Sequence, residues 1–317
     1  MLTRSIVFGT IILAVPAFSA NATDWSTRSI YQVTRRRAQI GTRLTTGFQV
    51  ITDRFATPND STLPCDTSAR MYCGGSWSGI TRHLDYIQSM GFDAVWISPV
   101  SANIEGATSQ GEAFHGCVTP AGCLDVPTHY LCCRYWTRDL YSLNPHFGTA
   151  DDLRALIAAL HMRGMYIMLD VVVNHLAAPG HRFNFTDFPK PFDDESYFHN
   201  RCFVADSTDT GNQTTVEQCW LGDSKLPLPD LNTENPFVVE KLNEWIAKLV
   251  QDYGIDGLRI DTAKHIRKDF WPAFVDAAGV FAVAELLAKD TNYMAPYTGK
   301  APNLCWDIHR DANNIWL

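Results

Sequence analysis

Gly257-Leu258-Arg259-Ile260-Asp261-Thr262-Ala263-Lys264-His265, followed by Ala284-Glu285-Leu286-Leu287, decides the fold of this chain. Each stretch begins as an apolar run that reads as a buried strand, and each ends in a carboxylate. Strands that carry charge only at their carboxyl ends are how a (β/α) barrel displays reactive groups on one rim.

Working outward, the same grammar repeats. Residues 81–90 carry Leu84 and Ile87 between charges and stop at Gly91, which predicts a helix; 92–100 follows as a strand. Thr149 reads as the N-cap of a helix with Leu153, Leu156, Ile157 and Leu160 on one face, ended by Gly164. Residues 165–173 are a nearly unbroken apolar run, as expected of a parallel strand covered on both faces. A helix over 237–253 ending at Gly254, a strand over 255–261, a short helix over 268–278 and a strand over 280–287 complete the alternation. The pattern predicts a parallel α/β sheet. Between 176 and 235 it lapses into Pro, Asp, Asn and aromatics, which reads as a functional excursion from the sheet.

Composition narrows the function. The net charge is −8 and the only basic cluster is Arg35-Arg36-Arg37, so nucleic acid is not an expected partner. Residues 1–20 read as a secretory signal: Arg4, then an apolar run too short to span a bilayer, then small residues. No membrane attachment is expected beyond it, and the protein should be extracellular and monomeric. An oxidising destination makes disulfides plausible, and Cys65/Cys73 and Cys202/Cys219 sit at short-loop spacings. Asn59, Asn184 and Asn212 open glycan-acceptor triplets.

An Asp and a Glu on neighbouring strands, as Asp261 and Glu285 would be, are the pair a retaining glycosidase needs. The plainer alternative for Asp261, a strand-end carboxylate paired with Arg259, is the weaker reading given the surrounding segment. The chain also resembles a known family. Asp170-Val171-Val172-Val173-Asn174-His175, residues 257–265 and residues 284–287 resemble signature segments of the alpha-amylase family of glycoside hydrolases, nearest the secreted fungal Taka-amylase type. Ile51-Thr52-Asp53-Arg54-Phe55, residues 216–223 and Lys268-Asp269-Phe270-Trp271-Pro272 add to the likeness. The resemblance implies a TIM (β/α)8-type barrel with an excursion domain after the third strand. It implies endo-hydrolysis of α-1,4-glucosidic bonds in starch or glycogen, with Asp261 as nucleophile and Glu285 as acid/base. Transglycosylase or α-glucosidase action stays open. It implies Ca2+ held by Asn174, Glu217, Asp230 and the carbonyl of His265, all hard oxygen donors; Glu217 and Asp230 could otherwise be plain surface carboxylates. Sugar contacts are expected from His115, Tyr135, Trp136, His175, Arg259, Lys264 and His265, and Asp170 is expected to hold Arg259.

Departures from the family are equally specific. Residues 34–50 interrupt what should be one strand running from Ile30-Tyr31-Gln32 into residues 51–55, and 117–134 separate His115-Gly116 from Tyr135-Trp136. The likeness fades after Tyr297, and Ala295 stands where the family has a half-cystine. The layout expected is a signal (1–20), barrel (21–175), excursion (176–235), barrel (236–298) and an aberrant tail (299–317). Each insert splits a motif without altering its flanks, which reads as translated intron sequence; a transcript retaining both in frame would defeat that reading. About five of eight barrel strands are expected, without the segment that carries the family's third carboxylate. The rival reading is therefore an inactive fragment with at most residual glucan binding.

Overall fold

The structure, a computed structural model, describes residues 47–61, 65, 71–108, 111–112, 116–118, 132–134, 136–180, 182–206, 211–288, 290–297 and 304–309. Six strands form one parallel sheet: β1 (Gly47–Val50), β2 (Ala94–Ile97), β3 (Tyr166–Val172), β4 (Gly257–Asp261), β5 (Phe281–Leu287) and β6 (Leu304–His309), hydrogen-bonded in chain order. Four of them, β2 to β5, lie where the sequence pattern places barrel strands, whereas β1 comes from the end of the segment set apart as an insert. The sixth comes from the tail, beyond the resemblance. Consecutive parallel strands joined by helices are the wall of a (β/α) barrel. Among the described residues the wall is open, with β1 and β6 as its edges.

Alternation along each strand separates two faces. Val95, Ile97, Ile167, Leu169, Val171, Leu258, Ile260, Ala282, Ala284 and Leu286 belong to the large core shared with the helices. Those helices include α4 (Ala150–Met162), α6 (Pro236–Tyr253) and α7 (Trp271–Ala278), which contribute Leu156, Ile246 and Phe274 to that core. The opposite face carries a separate cluster of Trp96, Met168, Phe281 and Val283. One step further along β3, β4 and β5 on this inner face come Asp170, Asp261 and Glu285. An apolar plug thus floors the charged rim. Caps fix the helices as expected: Thr149 and Asp152 make a full capping box on α4, and Gly254 ends α6 in a left-handed conformation.

Three local expectations give way. Residues 51–55 do not extend a strand; Thr52–Phe55 make a single helical turn, α1. The Asp53 carboxylate accepts the N–H groups of Cys73 (2.9 Å) and Gly74 (3.2 Å), which pulls the chain off the sheet. The strand itself is Gly47–Val50, from the end of the segment set apart as an insert. The helix expected over 81–90 is two pieces, α2 (Trp77–Arg82) and α3 (Leu84–Ser89), broken at His83, whose backbone (φ −107°, ψ 13°) leaves the helical region. Finally, α7 starts at Trp271 rather than 268, with Pro272 in its first turn.

Helix α2 packs so tightly on α1 that a Cβ at Gly79 would overlap the carbonyl of Ala56. Gly79→Ala should therefore lower the unfolding free energy by about 2 kcal/mol or more, read from urea unfolding curves, whereas Gly91→Ala, with open space around it, should cost only its left-handed backbone (φ 89°).

Candidate active site

Strand register builds the site. Ile260 pairs with Ala284, so Asp261 and Glu285 follow at the same level on adjacent strands, while Arg259 pairs with Asp170 on the other side. One guanidinium then serves three carboxylates. Arg259 Nη1 contacts Asp170 Oδ1 at 3.0 Å and Asp261 Oδ1 at 2.6 Å, and Nη2 contacts Glu285 Oε1 at 2.9 Å. Two carboxylates on one guanidinium fork are close neighbours. Glu285 Oε2 also accepts the backbone N–H of Thr262 at 3.1 Å. Thr262 makes this possible by taking a left-handed conformation (φ 52°), unusual for a β-branched residue. Below, Trp96 lies under Arg259 (5.3 Å from ring centre to guanidinium carbon) and donates its indole N–H to Asp170.

Burial dominates the electrostatics. Asp170 is fully buried, and desolvation pushes its carboxyl up to about 6 against the pull of Arg259. Burial, then the charge of Glu285, drives Asp261 well above the usual carboxylate range, again against Arg259. Three acids share one cation, so the cluster retains a proton that isolated carboxylates would release.

The remaining expected residues distribute around this rim. His175 follows β3 and is buried, as are Lys264 and His265 in the turn after β4. His265 Nδ1 bonds the carbonyl of Val216 (2.8 Å), and burial pushes its imidazole down to about 3. Trp136 is also buried, in a small core with Ile104, Ala177 and Leu226 rather than on an open surface. His115 and Tyr135 lie outside the described residues, as do residues 1–46. Cys65–Cys73 and Cys202–Cys219 are disulfides. Asn59, Asn184 and Asn212 are exposed.

Two of the four oxygen ligands expected for a metal, Asn174 and Asp230, lie on segments that the backbone ties together. His175 bridges Asp230, and Leu231 N–H donates to the carbonyl of Asn174 at 2.9 Å. Oδ1 of Asn174 and Oδ1 of Asp230 are both buried without a hydrogen-bond partner. Burial pushes Asp230 up to about 7, opposed by His199 and Asn174. Burial also raises Glu217, whose Oε1 accepts from Gln213 at 2.5 Å. Among the described residues no group of three His, Cys, Asp or Glu forms a metal cage; this donor set contains only two carboxylates, completed by an amide and a carbonyl.

Several contributors escaped the sequence reading. Trp96 was legible in principle, because strand alternation puts it on the inner face. Thr262 acts through its backbone, and the links of Tyr293 and Tyr297 to Gln213 (2.9 and 3.3 Å) join segments 80 or more residues apart, which no local pattern signals.

Fold and site define a class: a (β/α)-barrel wall bearing an acid pair, bridged by arginine, at the carboxyl ends of its fourth and fifth strands. The comparisons make this specific. The family model for the alpha amylase catalytic domain matches residues 49–302, and the chain belongs to that family. Alpha-amylase 1 of Lipomyces kononenkoae is 43% identical over 282 residues, covering 88% of this chain and 39% of that protein. The alpha-amylase of Saccharomycopsis fibuligera is 41% identical over 90% of this chain and 50% of its own length. Among solved structures, an alpha-amylase from Malbranchea cinnamomea superposes with a TM-score of 0.70 at 44% identity, over 82% of this chain and 51% of that one. The chain thus spans about half the length, or less, of these relatives.

Proposed function

We propose that this chain carries the reacting half of a retaining α-1,4-glucan endohydrolase acting on starch or glycogen outside the cell. The observation that supports this most is the placement of Asp261 and Glu285 at one level of adjacent strands with Arg259 between them. Asp261 attacks the anomeric carbon, and Glu285 protonates the leaving oxygen and later activates water. Without substrate both carboxylates lean on Arg259. A sugar entering between them separates the pair: Arg259 stays with Asp261 at the shorter contact, which keeps the nucleophile ionised, and the shared proton passes to Glu285. Asp170 holds the guanidinium from behind. His175, Lys264 and His265 supply sugar contacts beside the acid pair, as His115 and Tyr135 are expected to from the sequence; Trp136, packed in its own small core, backs them from behind. The relatives are named alpha-amylases, and two disulfides suit an extracellular site. NMR of maltopentaose hydrolysis should show the α-anomer formed first, and long amylose should fall in size before glucose appears. A β-anomer would defeat the retaining assignment.

The rival reading is a glucan-binding fragment without turnover; among the described residues the sheet ends at β1 and β6. It predicts retention on a starch column with no reducing sugar released.

We further infer that Ca2+ is held by Asn174, Glu217, Asp230 and the His265 carbonyl. Two orphaned buried oxygens cost roughly 1–3 kcal/mol each unless a cation faces them. The ion would supply structural clamping of residues 176–235 to the barrel, not chemistry. Chelation should lower the melting temperature by about 10 °C, with calcium restoring it and magnesium restoring little. An unchanged melting curve in excess chelator would refute the site.

A further inference from the structure

His199 is locked in place by the segment that crosses Asp230. Its backbone N–H donates to the Asp230 carbonyl (2.9 Å), and its own carbonyl accepts the indole N–H of Trp220 (2.9 Å). The ring has one nitrogen on each of two acids: Nδ1 donates to Asp230 Oδ2 at 2.6 Å, and Nε2 lies 2.5 Å from Glu234 Oε2. The imidazole is 9% exposed and Asp230 2%. Only one oxygen of Asp230 is consumed. Oδ1 remains buried and unbonded, as does Oδ1 of Asn174 on the segment that the backbone joins to 230–231. A carboxylate in this position could rotate and spend both oxygens on internal donors. The ring prevents that, since it occupies Oδ2 and is itself held at its far end.

We propose that His199 is a positioning residue for the cation site: it fixes the Asp230 carboxylate so that Oδ1 is presented to the metal together with Asn174 Oδ1. This rests on the calcium reading above and adds a residue outside the ligand set. A histidine that merely stapled 198–201 to 230 would affect folding but leave metal affinity unchanged in the folded protein. Outer partners that orient a ligand typically contribute 10–100-fold in affinity.

The test uses the full 317-residue chain with calcium alone as probe, titrated against a chromophoric chelator, and records the metal-free melting temperature alongside. His199→Ala should weaken calcium binding by about 10–100-fold. His199→Asn keeps a donor near the position of Nδ1 and should recover binding to within about threefold, a rescue that simple packing would not produce. Glu234→Gln, at a largely accessible carboxylate, loosens the far end of the ring and should weaken binding about threefold; it decides the matter if His199→Ala fails to fold. Equal calcium affinity in the parent, His199→Ala and Glu234→Gln overturns the assignment, and so does equal loss in His199→Ala and His199→Asn. Asp230→Asn separates the two readings. If it abolishes binding while the His199 variants bind normally, the calcium site stands and only the role of His199 falls. If the parent binds no calcium, or Asp230→Asn binds it as the parent does, both fall together.

Discussion

Asp261→Asn should lower hydrolysis of starch by about four orders of magnitude or more, the scale on which loss of a nucleophile is felt. The amide is the same size and can still face Arg259, but it cannot bond to the anomeric carbon. Stability should move the other way. Three acids now crowd one guanidinium, and Asp261 is driven up chiefly by burial and then by Glu285. Removing one of the like charges relieves repulsion, so the variant should unfold at higher urea than the parent, a trade of stability against activity common at catalytic sites. Glu285→Gln separates the second role. With starch the leaving alkoxide needs a proton, and the rate should collapse comparably. With an α-maltosyl fluoride the leaving group needs none, and the first step should survive, observed as fluoride release. If Asp261→Asn kept its rate, or Glu285→Gln lost both substrates equally, the assignment of roles would be wrong.

How much of this was legible before the structure follows from where each determinant resides. The rim was legible because burial keeps β3, β4 and β5 largely apolar, so Asp170, Asp261 and Glu285 in their carboxyl-terminal halves stand out against the run. Helices α4 and α6 were legible through caps, which are local. What the sequence did not disclose is non-local or carried by backbone. The turn Thr52–Phe55 exists because Asp53 finds its partners 20 residues away, at Cys73 and Gly74. β1 is Gly47–Val50, which reads as no better a strand than its neighbours until it lies against β2. β6 lies where the family likeness had already faded, yet it pairs in register with β5, Glu285 opposite Asp307. His199 looks like any lone histidine in sequence; only the return of the chain at 230–234 gives it two acids. The excursion is legible as an interruption of pattern but not as a shape, because an aromatic cluster (Phe183, Phe185, Phe188, Phe198 and Trp220) organises it instead of periodic helices or strands.

The largest loss of stability should come from Arg259→Met. The side chain fills comparable space, but three carboxylates would be left without their common cation. Breaking a buried ion pair from one side costs about 3–5 kcal/mol, a large part of the 5–15 kcal/mol that holds a typical domain together. The effect should depend on pH in a defined sense. Asp170 already sits at about 6 in the folded protein against an ordinary value of 3.8, because desolvation outweighs Arg259. A carboxyl raised on folding binds its proton more tightly in the native state. Its contribution is therefore fully present below 3.8 and is lost as pH rises through about 6. Without Arg259 that folded value climbs further, so the loss extends to higher pH and the gap between variant and parent widens from pH 5 to pH 8. Urea unfolding across that range measures it. Arg259→Lys keeps the charge as a single point and cannot span three acids, so it should fall between. Adding Asp170→Asn to Arg259→Met should recover part of the loss, since one of the stranded charges is then gone; a double-mutant cycle gives the coupling directly. Equal urea midpoints for Arg259→Met and the parent at pH 8 would mean that the guanidinium is not what makes this acidic cluster tolerable, and the electrostatic account of the site would have to be abandoned.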